Sequence, residues 1–151
     1  MIHKSMFSTG KDDWETPDAL FQQYDQIYHF VLDLAANITN HKVNRWLGPV
    51  GEYEDALTLL SWGNFLNQGN LWLNPPYSPQ LQPRFVTRAM QEVRQHKTGH
   101  IVCLLPARTD TRLFHDVIMP FGTVTFLRGR LKFKGAVNSA PFPSMIVVFK
   151  A

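Results

Sequence analysis

Apolar and polar positions follow two different periods along this chain, and the switches between them outline its elements. Leu20, Phe21, Tyr24 and Ile27 recur at helical spacing behind Thr16-Pro17, which predicts a helix with Thr16 as N-cap and Pro17 at its first position. His29 to Asp33 reads as a buried strand ending in a carboxylate, and the small residues Ala35 and Ala36 follow it. Lys42 to Leu47 predicts a short second strand, stopped by Gly48, Pro49 and Gly51. Residues 56–70 hold core-type side chains (Leu57, Leu59, Leu60, Trp62) between turn signals, with no single period. Leu71-Trp72-Leu73 is a buried strand. Beyond Ser78-Pro79, a helix presents Phe85, Ala89, Met90 and Val93 on its apolar face and Arg84, Arg88 and Arg94 elsewhere, closing near Gly99. His100 to Leu105 is a further buried strand. Leu113, Phe114, Val117 and Ile118 mark a helix capped by Thr109 or Asp110. Thr123 to Leu127 is a strand that the alternating bases and apolar groups of 128–134 extend, and Met145 to Phe149 is the last strand. Strand and helix alternate over residues 14–105, which predicts an α/β fold with a mostly parallel sheet. The final two strands are joined by the loop Ser139 to Ser144 without a helix, so they are expected to pair as an antiparallel edge hairpin.

The densest chemistry lies in Leu71-Trp72-Leu73-Asn74-Pro75-Pro76-Tyr77. Two prolines cannot continue a central strand, so the strand ends in a stiff turn carrying an amide and a phenol. That edge is where open α/β sheets bind their ligands. The amide oxygen of Asn74 and the carbonyl of Pro75 are both acceptors, and Tyr77 offers a face on which a ring can stack. Two acceptors beside a stacking face suit a flat ring bearing an NH₂ group. Such an amine is a poor nucleophile, because its lone pair is delocalised into the ring. Pulling on its hydrogens with two acceptors makes the nitrogen more tetrahedral and more reactive. A turn of this sequence is also a legitimate strand ending with no function.

Composition narrows the picture. The chain of 151 residues is 44% hydrophobic and 18% charged, an ordinary globular balance that is expected to form one domain over 1–151, with 1–13 as a loosely ordered leader. No apolar run approaches a membrane span and the polar N-terminus is not a signal peptide, so the expected location is the cytoplasm. Cys103 is the single cysteine, which excludes a disulfide within the chain and a cysteine metal cluster; it reads as a core residue. His96 and His100 are separated by a glycine with no carboxylate nearby, so no metal site is expected. The net charge is only +3, but it is unevenly placed: residues 1–55 carry nine acids against four bases, and residues 56–151 carry three acids against eleven bases. A polyanion would be drawn to the second part. Arg108 and Arg112 are candidates for phosphate contact or for ion pairs with Asp110 or Asp116, and Arg128, Arg130 and Lys132 form either a nucleic-acid grip or a charged edge strand that resists aggregation.

Asn74-Pro75-Pro76-Tyr77 resembles the catalytic motif of amino-methyltransferases. Together with Trp14-Glu15-Thr16-Pro17, Leu32-Asp33-Leu34-Ala35-Ala36, Asp55-Ala56-Leu57, Leu105 to Thr111 and Phe126-Leu127-Arg128-Gly129-Arg130, in that order, the chain resembles the phage-type DNA adenine-N6 methyltransferases over nearly its whole length. The resemblance implies a Rossmann-like, S-adenosylmethionine-dependent enzyme from a phage or prophage, acting on double-stranded DNA in a bacterial cytoplasm. It implies catalytic roles for Asn74, Pro75, Pro76 and Tyr77. It also implies cofactor contacts from Thr16 and Pro17 at the methionine end, from Asp33 and Ala35 after the first strand, and from Asp55 near the adenosine. Which of Glu52, Glu54 and Asp55 meets the ribose stays open. The Gly-x-Gly loop common in methyltransferases is missing, with Ala35 and Ala36 in its place. No room remains for a separate recognition domain, so sequence recognition would come from short loops, a homodimer or a partner chain. Asn-Pro-Pro-Tyr also occurs in enzymes that methylate RNA adenine or a protein glutamine amide, and the missing glycine loop is the one feature favouring a nucleic-acid-binding module without catalysis.

Overall fold

A computed structural model describes residues 13–151; the predicted leader, apart from Asp13, lies outside the described residues. The chain forms a mixed α/β structure around a five-stranded sheet. In chain order the elements are α1 (Asp18–Tyr28), β1 (Phe30–Asp33), a 3₁₀ turn (Ala56–Thr58), α2 (Gly63–Gln68), β2 (Asn70–Leu73), α3 (Leu81–His96) and β3 (His100–Pro106). A π-helical turn (Phe114–Ile118) then runs into a last helical turn (Met119–Phe121), followed by β4 (Gly122–Phe126) and β5 (Ser144–Lys150).

The strand order is β1-β2-β3-β5-β4. β1, β2 and β3 are parallel, as alternation with helices requires, and β5 runs antiparallel to both β3 and β4. The predicted hairpin therefore exists, but its second strand is inserted beside β3 and only β4 forms the edge. The reason is visible in β5 itself: Ser144 through Phe149 are all buried, a run that tolerates no solvent face, whereas β4 alternates between exposed and half-buried positions.

Side chains alternate between two cores. Leu32, Leu71, Leu73, Ile101, Cys103, Leu105, Val147 and Phe149 face α2, α3 and the helical segment around Phe114. Phe30, Trp72, Val102, Leu104, Ile146 and Val148 face α1 and the segment 127–143, which contributes Phe133, Ala140 and Phe142. Burial of a side chain such as Phe85 contributes about 1.5–3 kcal/mol.

Several local expectations change. Residues 42–47 make no strand; Asp33 with Trp46 and Leu47 with Tyr53 are isolated bridges. Gly48 explains the stop. Its φ is +138° and a Cβ there would sit 1.8 Å from the Ala36 carbonyl oxygen, so the chain crosses close over Ala36 and leaves the ladder. Residues 128–134 do not extend β4. Leu131 and Phe133 still turn inward, but Lys134 N–H donates to the Glu15 carbonyl and Ala140 N–H to the Leu131 carbonyl, so the backbone bonds to other segments and not to a ladder. Thr111, and not Thr109 or Asp110, caps the following helical segment, its Oγ1 accepting from Phe114 N–H at 3.2 Å. α3 ends at His96, with Lys97 (φ 56°) and then Gly99 (φ 71°) in left-handed conformations just beyond it.

Arg88 lies off the apolar face of α3, yet it is half-buried: its Nε donates to buried Glu92 at 2.6 Å, and its guanidinium lies 4.8 Å over the Trp62 ring. Glu92 further accepts from Trp62 N–H at 2.7 Å and pairs with His96 at 3.2 Å. Removing that carboxylate leaves several buried donors unpaired. Glu92→Ala is expected to lower unfolding stability by about 2–3 kcal/mol in a urea titration; a loss below about 0.5 kcal/mol would mean that the network is dispensable.

Candidate active site

β1 and β2 end side by side, and the chain from Asp13 to Thr16 passes over their carboxyl ends. Between them lies a narrow cleft lined by Trp14, Glu15, Thr16, Asp33, Ala35, Lys42, Trp72, Asn74, Pro75 and Pro76, among others. Of the sequence-predicted residues, Thr16, Asp33, Ala35, Asn74, Pro75 and Pro76 thus meet in one place. Trp14, Glu15, Lys42 and Trp72 join them although none carried a role of its own in the sequence. Period-2 counting back from Asn74 puts residue 72 on the same strand face and was the signal available for Trp72.

Asn74 is fixed by its neighbours. Its Nδ2 donates to the Trp14 carbonyl at 2.6 Å and to Thr16 Oγ1 at 3.0 Å. A carbonyl can only accept, so the amide nitrogen must face Trp14 and the oxygen must face away. That Oδ1 is buried and has no hydrogen-bond partner among the described residues. No main-chain hydrogen bond among the described residues ends on the Pro75 carbonyl either. Two acceptors without donors, one held rigidly, are what an amine-bearing ring would require.

The same contact corrects the helix start. Thr16 does not cap α1, whose N-cap is Pro17 with extended backbone and no side-chain cap bond. The Thr16 hydroxyl is engaged by Asn74 instead, and the residue is 1% exposed. Pro17 begins α1 but does not line the cleft.

Asp33 is 2% exposed. Its Oδ1 accepts from Ala35 N–H at 3.3 Å and its Oδ2 from Lys42 N–H at 3.0 Å. Burial outweighs these bonds and pushes its pKa up to about 7. A carboxylate so destabilised gains most from a cation brought into the cleft. The Lys42 ammonium offsets the burial only in part, and it is itself paired with Glu15 at 3.1 Å and Asp18 at 2.8 Å.

The other predicted residues lie elsewhere. Asp55 is buried as the cap of the 3₁₀ turn, its Oδ1 accepting from Leu57 N–H at 2.9 Å, and it does not line the cleft. Tyr77 is 5% exposed; its hydroxyl donates to the Leu104 carbonyl at 3.0 Å, and burial holds the phenol well above its ordinary pKa. Phe133 and Phe142 meet its ring edge-on at centroid distances of 6.3 and 5.8 Å. Tyr77 borders a second, larger cavity of about 670 Å³, together with Gln82, Arg108 and Arg112. Arg108 also lies 5.6 Å over the Phe142 ring. Arg112, Arg128, Arg130 and Lys132 are exposed, and none forms an ion pair among the described residues. Lys134, by contrast, ties its segment to Asp18 at 3.0 Å. No group of His, Cys, Asp and Glu among the described residues is arranged to hold a metal ion.

Residues 4–151 match a family described as DNA N-6-adenine-methyltransferase (Dam). No curated protein matches the chain.

Proposed function

The chain belongs to the DNA N-6-adenine-methyltransferase (Dam) family, and from that premise we propose that it transfers a methyl group from S-adenosylmethionine to the exocyclic N6 amine of adenine in double-stranded DNA. The observation that carries the reading is the buried Asn74 Oδ1, without a hydrogen-bond partner among the described residues, in a cleft shared with the buried carboxylate of Asp33. We read the chain as one domain of the Rossmann-like methyltransferase type, and its parallel β1-β2-β3 unit with ligand-type residues at the carboxyl ends supports this.

When bound, S-adenosylmethionine supplies an electrophilic methyl on a positively charged sulfur. The donor set fits a cationic ligand of that kind: Asp33 offers an anion beside small Ala35, and the Trp14 to Thr16 segment closes the cleft above it. Asp55 is not counted among these contacts, since its carboxylate is spent on capping. Asn74 Oδ1 and the Pro75 carbonyl accept the two hydrogens of the adenine amine, which concentrates electron density on its nitrogen. Pro75 and Pro76 fix the distance between those acceptors. A stacking role for Tyr77, which borders the larger cavity, requires the Phe133 and Phe142 rings that pack against it to move aside. The base must leave the duplex, because its amine is out of reach within the stack.

Arg108, Arg112, Arg128, Arg130 and Lys132 supply the grip on phosphates. The last three stand on the segment whose Phe133 and Phe142 pack against Tyr77, which supports backbone contact beside the proposed base site. Arg128→Ala combined with Arg130→Ala is expected to weaken DNA binding and to make the plot of log affinity against log salt shallower by close to 2. An unchanged slope in that plot would remove both residues from the interface. Sequence recognition falls to these short segments, or to a second copy or partner chain. Among the described residues no helix is long and apolar enough to cross a membrane, and the place of action is taken to be the bacterial cytoplasm.

The experiment that tests the reading is transfer of labelled methyl to unmodified DNA, RNA and protein in parallel, with the modified base identified in the digest. N6-methyladenine formed in DNA supports it. Label confined to RNA or to glutamine side chains would reassign the substrate, and no label on any of them would point to a binding module.

A further inference from the structure

Trp72 is among the largest fully buried side chains of the protein, yet its indole Nε1–H has no hydrogen-bond partner among the described residues. The other indoles in comparable places are satisfied. Trp62 donates to the Ala56 carbonyl at 3.0 Å, and Trp46 donates to the Pro49 carbonyl at 3.2 Å. Buried donors are rarely left in this state without a reason.

Its position supplies one. Trp72 stands in the wall of the same cleft as Asp33 and Asn74. In the β1–β2 register Asp33 is directly beside Trp72, one strand spacing of roughly 4.8 Å away. A buried carboxylate and a buried donor thus belong to neighbouring residues at the end of the parallel pair and line one cleft. An indole N–H can only donate, so it calls for an acceptor on whatever enters. Asp33 calls for a cation. One chemical group carries an acceptor and a cation on the same carbon: the zwitterionic end of an α-amino acid. Lys42, the cation in this wall, is already paired with Glu15 and Asp18, which leaves an entering carboxylate to the indole.

We propose that Trp72 Nε1 donates to the carboxylate of the cofactor's amino-acid end while Asp33 takes the ammonium beside it. This rests on the reading of S-adenosylmethionine as the methyl donor. Trp72 is then a residue that selects the intact amino acid over the same nucleoside without its carboxylate.

The test compares S-adenosylmethionine with its decarboxylated analogue, by calorimetry on the wild-type protein and on Trp72→Phe, with folding checked by circular dichroism. Trp72→Phe is expected to weaken binding of S-adenosylmethionine by roughly 10- to 100-fold, the range for a hydrogen bond to a charged group. Affinity for the decarboxylated analogue should stay within about twofold, because that ligand offers the indole nothing to lose. Equal losses for both ligands would overturn the proposal and return Trp72 to packing alone. A second measurement needs no variant: in the ¹⁵N–¹H spectrum of the wild-type protein, the Trp72 indole resonance should move far more with S-adenosylmethionine than with the decarboxylated analogue. Equal movement would again overturn it. If the wild-type protein binds neither ligand, the donor assignment itself fails, and this inference with it.

Discussion

Replacing Asn74 by Ala is expected to lower methyl transfer by about 10²–10³-fold, the cost of losing one preorganised hydrogen-bonding group at a reacting centre. The expectation follows from the two halves of one amide. Nδ2 is spent on the Trp14 carbonyl and Thr16 Oγ1, which leaves Oδ1 aimed away from them and without a donor. Because Nδ2 also tethers the segment over the cleft, Asn74→Ala should cost some cofactor affinity, but less than about tenfold, the value of one or two neutral hydrogen bonds. Asn74→Asp separates the two functions. It keeps an acceptor and gives up both donated bonds, so it should retain more transfer than Asn74→Ala while binding cofactor no better. Single-turnover rates beside calorimetric affinities measure the split. Transfer by Asn74→Ala at the wild-type rate would remove the amide from the chemistry.

The second large effect concerns Asp33, and it is readable by pH. Its pKa of about 7 in the folded protein lies above the ordinary carboxylate value near 3.8 because burial penalises the charge. Between those two values the folded state holds a proton that the unfolded chain has released, so stability declines as pH rises through this window. At 1.36 kcal/mol per unit, the decline amounts to about 4 kcal/mol at most. Melting temperature should therefore fall from pH 5 to pH 8 in the absence of ligand, and Asp33→Asn should flatten that part of the profile. A cationic ligand has the opposite preference. It needs the carboxylate ionised, so affinity for S-adenosylmethionine should rise with pH through 7 and level off above it. Asp33→Asn should lose about 10- to 100-fold in affinity together with this pH dependence. A variant that keeps the wild-type affinity and its pH profile would show that Asp33 only braces the loop through Ala35 and Lys42.

The residues around the cleft show which parts of the fold were legible in advance. The strands at 30–33, 71–73, 100–105 and 145–149 were readable because each is a short, nearly continuous apolar run, and α3 because its apolar positions keep a helical period. The segments that departed share another trait: their backbone partners are distant in sequence. Lys134 N–H finds the Glu15 carbonyl and Leu47 finds Asp33, and no local pattern encodes such partners. The burial of Arg88 is not legible for a similar reason: with its buried partner Glu92 it looks like an ordinary i,i+4 surface pair in the sequence.

What the sequence by itself determined was the chemistry on offer: an amide, two prolines and a phenol at the end of one strand, an aspartate at the end of another, and a basic second part of the chain. Residue type and strand period suffice for that, since both are local. Only the tertiary structure decided which of these groups share a space. It set Asp33 beside Trp72 and left one oxygen of Asn74 and one nitrogen of Trp72 without partners among the described residues. It also moved Asp55 to a helix cap and Tyr77 to the border of a different cavity. The physical reason is that hydrogen-bond satisfaction and desolvation depend on every neighbour at once, and those neighbours are assembled by packing and not by sequence order.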